Sequence, residues 1–279
     1  MSGKLYLCAT PIGNLEDITL RVLDTLRSVD LIAAEDTRHT LGLLNHYDIK
    51  AKLTSYHEHN KYDKAETLVS ELQSGKNIAL VTDAGTPGIS DPGEELVKLC
   101  IEEGIEVTSL PGACALPVAL SMCGLSSRRF VFEGFLPAEG KERSRALGRL
   151  KGEVRTMVIY EAPHHILKTL KDLKETLGER NIRICRELTK IHESVMIFTI
   201  SQALEYFGEN EPRGEMVVVI EGADEEELMA AERSVWKQMS LEEHVKMYTD
   251  EGMSEKEAMK KAATDRGISR RDVYNELKR

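Results

Sequence analysis

The chain lacks most of what would mark a special class of protein. No apolar run reaches the ~18–20 residues needed to cross a bilayer. Met1 to Thr10 has neither the basic head nor the long apolar core of a signal peptide. Cysteine is scarce: the five are Cys8, Cys100, Cys114, Cys123 and Cys185, an odd number with no C-x-x-C pair. That argues against a zinc site or a disulfide framework and fits a reducing cytoplasm. There is no G-x-G-x-x-G fingerprint and no Walker loop, which disfavours a classical dinucleotide or P-loop site. There is no internal repeat and no low-complexity tract. Basic excess is missing as well: 37 Lys and Arg face 47 Asp and Glu, for a net charge of −10. Such a balance argues against a nonspecific nucleic-acid coat, though not against a local basic face.

What remains is an ordinary globular mixture, 41% hydrophobic and 30% charged over 279 residues. That length allows roughly two domains of ~100–200 residues. The charge is uneven. Arg128 to Arg155 and Lys256 to Arg279 each hold eight bases against four acids. Either island alone reads best as a solvated helix face; together they could meet a polyanion.

The first 120 residues alternate short apolar strands with helical spacing. Strands are expected at Leu5–Ala9, Leu31–Ala34, just before Ser55, at Ile78–Val81 and at Val107–Leu110, with helices between them. This alternation predicts a largely parallel sheet covered on both faces. A second α/β unit begins near Arg128, with strands at Phe130–Phe132, Met157–Tyr160, Ile182–Cys185, Val195–Thr199 and Met216–Ile220. After Glu221 an acidic linker leads to three capping-box patterns, Ser240-x-x-Glu243, Ser254-x-x-Glu257 and Ser269-x-x-Asp272. The tail therefore reads as three short helices, the last two joined at Gly267 in a manner similar to a helix-turn-helix. A helical hairpin docked on the body or a partner is the alternative. The expected fold class is thus α/β: two α/β domains, 1–122 and 123–222, with a cleft between them, and a helical tail over 223–279.

In an open parallel sheet, ligands bind beyond the carboxyl ends of the strands. Pro11-Ile12-Gly13 follows the first strand. Asp83 to Gly93 follows the fourth and packs three glycines, two prolines and two acids into eleven residues. Pro111 to Ala115 follows the fifth. Small and stiff residues suit a ligand read through main-chain groups. Polar clusters sit at Glu35 to His39, Ser55 to Asn60, Tyr160 to His165 and Arg186 to Glu193. His57-Glu58-His59 does not make a metal site, because i and i+2 side chains diverge on a helix and no third ligand appears. No metal is expected.

The blocks Ala9 to Leu15, Ala34 to Arg38 and Thr82 to Gly93 resemble the signatures of the tetrapyrrole methylase family. Ser55 to Asn60, Tyr160 to His164, Arg186 to Glu193 and Pro212 to Glu215 narrow the resemblance to members that act on ribosomal RNA. The resemblance runs from about Lys4 to Glu221. It implies S-adenosyl-L-methionine as cofactor, bound in a cleft between two α/β domains. It also implies methylation of a cytidine ribose 2′-hydroxyl in the decoding centre of 16S rRNA, with the small ribosomal subunit as partner, a homodimer and a cytoplasmic location. The family's donor contacts carry over to Pro11, Ile12, Gly13, Asp83, Ala84, Thr86, Pro87, Ala113, Cys114, Ala115, Ala162, Pro163, Glu215 and Met216. The family usually shows serine where this chain has Cys114, and arginine where it has His165.

A ribose hydroxyl is a poor nucleophile at neutral pH, so a base or a nearby cation should help by roughly 10²–10⁴-fold. Candidate catalytic groups are Glu35, Asp36 and Glu187 as base or orienting carboxylate, and Arg38 and Lys190 as stabilising cations. Arg186, His57, Arg143, Arg145, Arg270 and Arg271 are candidate RNA contacts. Two other readings compete: a methyltransferase acting on a small tetrapyrrole-type molecule, and a non-catalytic ribosome-binding factor.

Overall fold

The structure is a computed structural model and describes residues 2–226, 228–230, 236 and 239–277. It divides into two compact units, one of Met1–Leu150 with Arg155–Glu221 and one of Lys151–Val154 with Gly222–Arg279.

The first unit holds two five-stranded sheets. The first is built from β1 (Lys4–Cys8), β2 (Leu31–Ala34), β3 (Leu53–Ser55), β4 (Ile78–Val81) and β5 (Glu106–Leu110), in the order β3-β2-β4-β1-β5. Every pairing is parallel. Parallel pairs need crossovers, and the sequence supplies them as α1 (Leu20–Ser28), α2 (Thr37–His46), α3 (Lys61–Gln73) and α4 (Gly93–Glu102). Burial follows the two faces. Leu5, Leu7, Ile78 and Leu80 pack with Leu68 and Leu72 of α3 and Leu96 of α4. Cys8, Ile32, Ala79 and Val81 pack with Val22 and Leu26 of α1 and Leu44 of α2. β4 is central and wholly buried, which is why its four residues read as an unbroken apolar run.

The second sheet comprises β6 (Phe130–Phe135), β7 (Thr156–Glu161), β8 (Asn181–Arg186), β9 (Ser194–Thr199) and β10 (Met216–Ile220), in the order β6-β7-β10-β8-β9. Only β6 and β7 run parallel; the other pairs are antiparallel. One face carries a core of Met157, Ile159, Ile182, Ile184 and Val218 against α6 (Gly140–Leu150), α7 (Ile166–Leu177) and α8 (Ile200–Glu209). The other face, with Val158, Cys185, Val217 and Val219, packs against α5 (Ala115–Met122) and against Ile12 from the loop after β1. α5 therefore joins the two sheets into one body.

The second unit contains α9 (Leu241–Asp250), α10 (Glu255–Arg266) and α11 (Arg270–Leu277), around a small core of Leu241, Val245, Ala258, Ala262 and Val273. All three expected capping boxes form: each serine hydroxyl accepts from the third helical amide, and each acid accepts from the cap amide. Gly267 ends α10 in the left-handed region at φ 65°. Among the described residues no helix is long and apolar enough to cross a membrane.

Candidate active site

The loops that leave the carboxyl ends of the first sheet are locked together. Thr10 and Gly85 exchange main-chain hydrogen bonds, 2.9 and 3.0 Å. The Thr10 hydroxyl donates to the Thr82 carbonyl at 3.0 Å, and the Thr86 hydroxyl donates to the Ala113 carbonyl at 2.9 Å. The segments after β1, β4 and β5 thus form one rigid rim. Gly13 meets the second sheet's 187–193 loop so closely that a Cβ there would lie 2.9 Å from the Leu188 carbonyl oxygen.

Between this rim and the second sheet lies a cavity of about 760 Å³. Its lining includes Ile12, Ala84, Thr86, Cys114, Ala115, Ala162, Pro163, Glu215 and Met216 of the expected donor contacts. Pro11, Gly13, Asp83, Pro87 and Ala113 belong to the same loops but stand outside the lining. Ala113 and Asp83 act one layer back: Ala113 accepts from Thr86, and the Asp83 carboxylate accepts from the Asp36 amide at 3.0 Å.

Of the candidate catalytic groups, Glu35, Glu187 and Lys190 line the cavity. Glu35 stands at the end of β2 and is half-buried. Burial pushes its carboxyl above the ordinary glutamate value and the neighbouring Asp83 carboxylate pushes it further; the Asp83 backbone opposes them, and Asp91, which raises it, and His57, which lowers it, weigh less. Glu187 accepts from the Lys190 ammonium at 3.0 Å and from the Glu215 amide at 3.2 Å. Burial raises its pKa, but Lys190 and the Glu215 backbone outweigh that and leave it lowered. Glu187 and Thr189 take φ of 52° and 66°, and across the cavity Ser90 takes 64°. Left-handed backbone at non-glycine residues costs of order 1–3 kcal/mol each and gathers at functional sites.

The remaining candidates lie elsewhere. Asp36 caps α2, accepting from the Arg38 amide at 2.8 Å, and its carboxylate also holds the exposed Arg38 guanidinium at 2.9 Å. The Arg38 contact keeps the Asp36 carboxyl at about 2. This pair is outside the cavity lining, as is His57, whose Nδ1 is buried with no partner among the described residues. Arg145, Arg270 and Arg271 are exposed. Arg186 is half-buried, its Nε without a hydrogen-bond partner among the described residues.

Arg143 requires a correction. It is 6% exposed rather than a surface cation. Its guanidinium donates to Asp172 at 2.6 Å, to the Pro137 carbonyl at 2.9 Å and to the Thr169 hydroxyl at 2.9 Å. Thr169 in turn donates to Glu161, which accepts from the Ala162 amide at 2.8 Å. Arg143 therefore braces the cavity wall from behind, its guanidinium committed to protein partners and not to a phosphate.

Several lining residues were not singled out from the sequence: Glu58, Ser90, Asp91, Glu94, Phe135, Tyr160 and Glu161. Asp91 and Ser90 fall within the glycine-rich stretch, and Glu58, Tyr160 and Glu161 fall within polar clusters, so proximity to those motifs was the available signal. Phe135 had none. Four of the cysteines are buried, and burial pushes Cys8 and Cys185 up to about 12, so neither is a nucleophile at neutral pH. Cys114 is the half-buried one and contacts the Tyr160 hydroxyl.

A rigid rim of small residues over the carboxyl ends of a parallel sheet, closed by a mixed second sheet, makes a ligand cleft between two sheets. The family model of the tetrapyrrole (corrin/porphyrin) methylases matches residues 4–204, and the chain belongs to that family. Among curated proteins it is similar to the ribosomal RNA small subunit methyltransferase I of Halalkalibacterium halodurans, 48% identical over 98% of this chain and 94% of that one. The protein of that name from Bacillus subtilis is 48% identical over 98% and 93%; the one from Escherichia coli O157:H7 is 52% identical over 82% of both chains. In fold it matches diphthine synthase, with TM-score 0.63 at 12% identity over 78% of this chain and 90% of that chain. It also matches uroporphyrin-III C-methyl transferase of Thermus thermophilus complexed with S-adenyl homocysteine, with TM-score 0.56 at 16% identity over 78% and 92%.

Proposed function

We propose that this chain transfers a methyl group from S-adenosyl-L-methionine to the ribosomal RNA of the small subunit, at the 2′-hydroxyl of a cytidine ribose in the decoding centre. The near-full-length likeness to the ribosomal RNA small subunit methyltransferase I relatives supports the acceptor class. The observation that carries the chemistry is the cavity, where a half-buried carboxyl, Glu35, and a cation, Lys190, line the same space as the small-residue rim.

The residues present fit the cofactor. About 760 Å³ lies within the ~300–1,000 Å³ typical of small-molecule sites. Ala84, Gly85 and Ala115 leave main-chain groups accessible, and Gly85 at φ 89° takes a conformation open to glycine. Glu35 and Asp91 give the wall a negative side suited to a cationic ligand. When bound, the donor supplies a methyl group on a sulfonium, so the protein's tasks are positioning and proton removal.

Glu35 acts as the base. Its raised pKa brings its proton affinity closer to that of the working pH, where a general base is most effective. Lys190, oriented by Glu187, stabilises the developing negative charge or an adjacent phosphate. Glu187 is itself fixed by the Glu215 amide and by Gly214, where a Cβ would lie 2.3 Å from its Oε1. Asp36 and Arg38 shape the head of α2 beside Glu35. Arg145, Arg186, Arg270 and Arg271 contact RNA, and the active form is a homodimer in the cytoplasm.

The test is incubation of the purified chain with methyl-labelled donor and small ribosomal subunits from cells lacking the chain. Label in extracted RNA is the expected result. Donor binding by calorimetry with no labelled RNA would move the acceptor to a small molecule. Neither binding nor label would leave a non-catalytic binding factor.

A further inference from the structure

Three of the chain's five phenylalanines, Phe130, Phe132 and Phe135, lie on β6. Along a regular strand, side chains alternate, so Phe132 and Phe135 would point to opposite faces. The pairing with β7 removes that alternation. Phe132 pairs with Val158, the register then shifts, Gly134 pairs with Ile159, and Phe135 pairs with Tyr160. Val158 and Tyr160 are two residues apart and share a face. The extra residue at Glu133 therefore turns Phe135 away from the side of Met157 and Ile159, which is core, and onto the side of Val158 and Tyr160. A single-residue bulge re-aims a side chain in this way.

The opposite wall comes close to the bulge. Gly134 sits at φ 63°, and a Cβ there would lie 2.6 Å from the Ser90 Oγ. Ser90 is itself left-handed. The bulge leaves an aromatic ring in the cavity lining that is 58% exposed. The ring is not loose. Its centroid is 5.6 Å from that of Tyr160 at an interplanar angle of 64°, and Tyr160 is 4.9 Å from Phe132. Tyr160 is fixed in turn because its hydroxyl accepts from the Leu116 amide at 3.0 Å. A T-shaped contact of this kind restrains a ring and still leaves at least one of its faces open.

We infer that Phe135 is the platform on which the extruded target nucleobase stacks while its ribose is presented to the cavity. This rests on the proposed RNA acceptor. A single-stranded base needs a π-surface to replace its lost stacking neighbours, and aromatic side chains are the usual substitute. The donor's sulfonium and adenine could use the same ring face, by cation–π attraction or stacking, so the donor Kd is the measurement that separates the two occupants. Phe135 is a substrate-positioning residue and takes no part in proton transfer.

The experiment compares Phe135→Leu and Phe135→Trp with the wild type on small ribosomal subunits. It measures KM and kcat for the subunits, Kd for S-adenosyl-L-methionine by calorimetry, and Tm. Phe135→Leu keeps apolarity but loses the π-face, so KM for the subunits should rise roughly 5- to 100-fold. The donor Kd should stay within about two-fold and Tm should hold, since the ring is largely exposed. Phe135→Trp should recover most of the loss. Unchanged KM and kcat in Phe135→Leu overturn the inference. So does a donor Kd weakened as much as the subunit KM, which would place the ring against the donor. A wild-type chain that binds donor but labels no RNA fails at the proposed function itself.

Discussion

Glu35 gives the sharpest predictions at the scale of single residues. As a base it must be deprotonated, so the rate should climb with pH through a pKa above the ordinary glutamate range, because burial and Asp83 raise it. Glu35→Gln should lower kcat by about 10²–10⁴ and abolish that limb, while calorimetry shows donor binding retained. A rate and pH profile like those of the wild type would remove Glu35 from the chemistry. The same shift bears on stability. The folded state holds the proton more tightly than the unfolded chain, so the contribution is greatest below the unfolded pKa and fades as pH rises through the folded one. Arg143 gives a second prediction. Arg143→Met should strip the donor from Asp172, the Pro137 carbonyl and buried Thr169 and lower stability by about 1–3 kcal/mol, read as a fall in Tm, with the salt dependence of RNA binding unchanged. Its burial was partly legible: Arg143, Ala146, Leu147 and Leu150 share the i, i+3, i+4, i+7 face of α6. A charge count over a segment averages that face away, which is why it read as one cation among eight.

At the scale of elements, β4 and β10 announce themselves as unbroken apolar runs because they are buried along their whole length, whereas β3, β5, β8 and β9 are partly exposed and carry polar residues, so they read less plainly. The three capping boxes were as plain as β4 and β10, since a cap is a local hydrogen-bond pattern. The bulge in β6 had no such signature. It inserts one residue into an otherwise regular strand and shows only in the pairing with β7. The site divides the same way: loops that end strands could be found by position, whereas the distinction between Glu35, which lines the cavity, and Asp36, which caps α2, depends on one residue of chain direction. Gly13 tests how the rim meets the 187–193 loop. A Cβ would sit 2.9 Å from the Leu188 carbonyl oxygen, and overpacking of this kind costs ~1–3 kcal/mol. Gly13→Ala should therefore lower Tm and weaken donor binding together; a variant with wild-type values for both would mean that the rim yields without consequence.

At the scale of the whole molecule, an acidic chain is expected to engage a polyanion, so its basic residues must work as local patches. Arg270 and Arg271 open α11 and are exposed. Replacing both with alanine should leave donor affinity and Tm unchanged. It should weaken subunit binding and reduce the slope of log affinity against log salt by about 0.7–0.9 for each phosphate no longer neutralised. An unaltered slope would assign the helical unit to something other than RNA. The charge islands were visible in the sequence, but which of their members face solvent was not, because exposure is set by the fold.

Acceptance of the methyl group by a ribose hydroxyl has a chemical signature in the RNA. Alkaline hydrolysis of labelled small-subunit RNA followed by mass spectrometry of the products reads it. A 2′-O-methyl group blocks cleavage at its own nucleotide, so the account predicts the label in a single alkali-resistant dinucleotide beginning with cytidine. Label released in mononucleotides, as a base methylation would give, would contradict it.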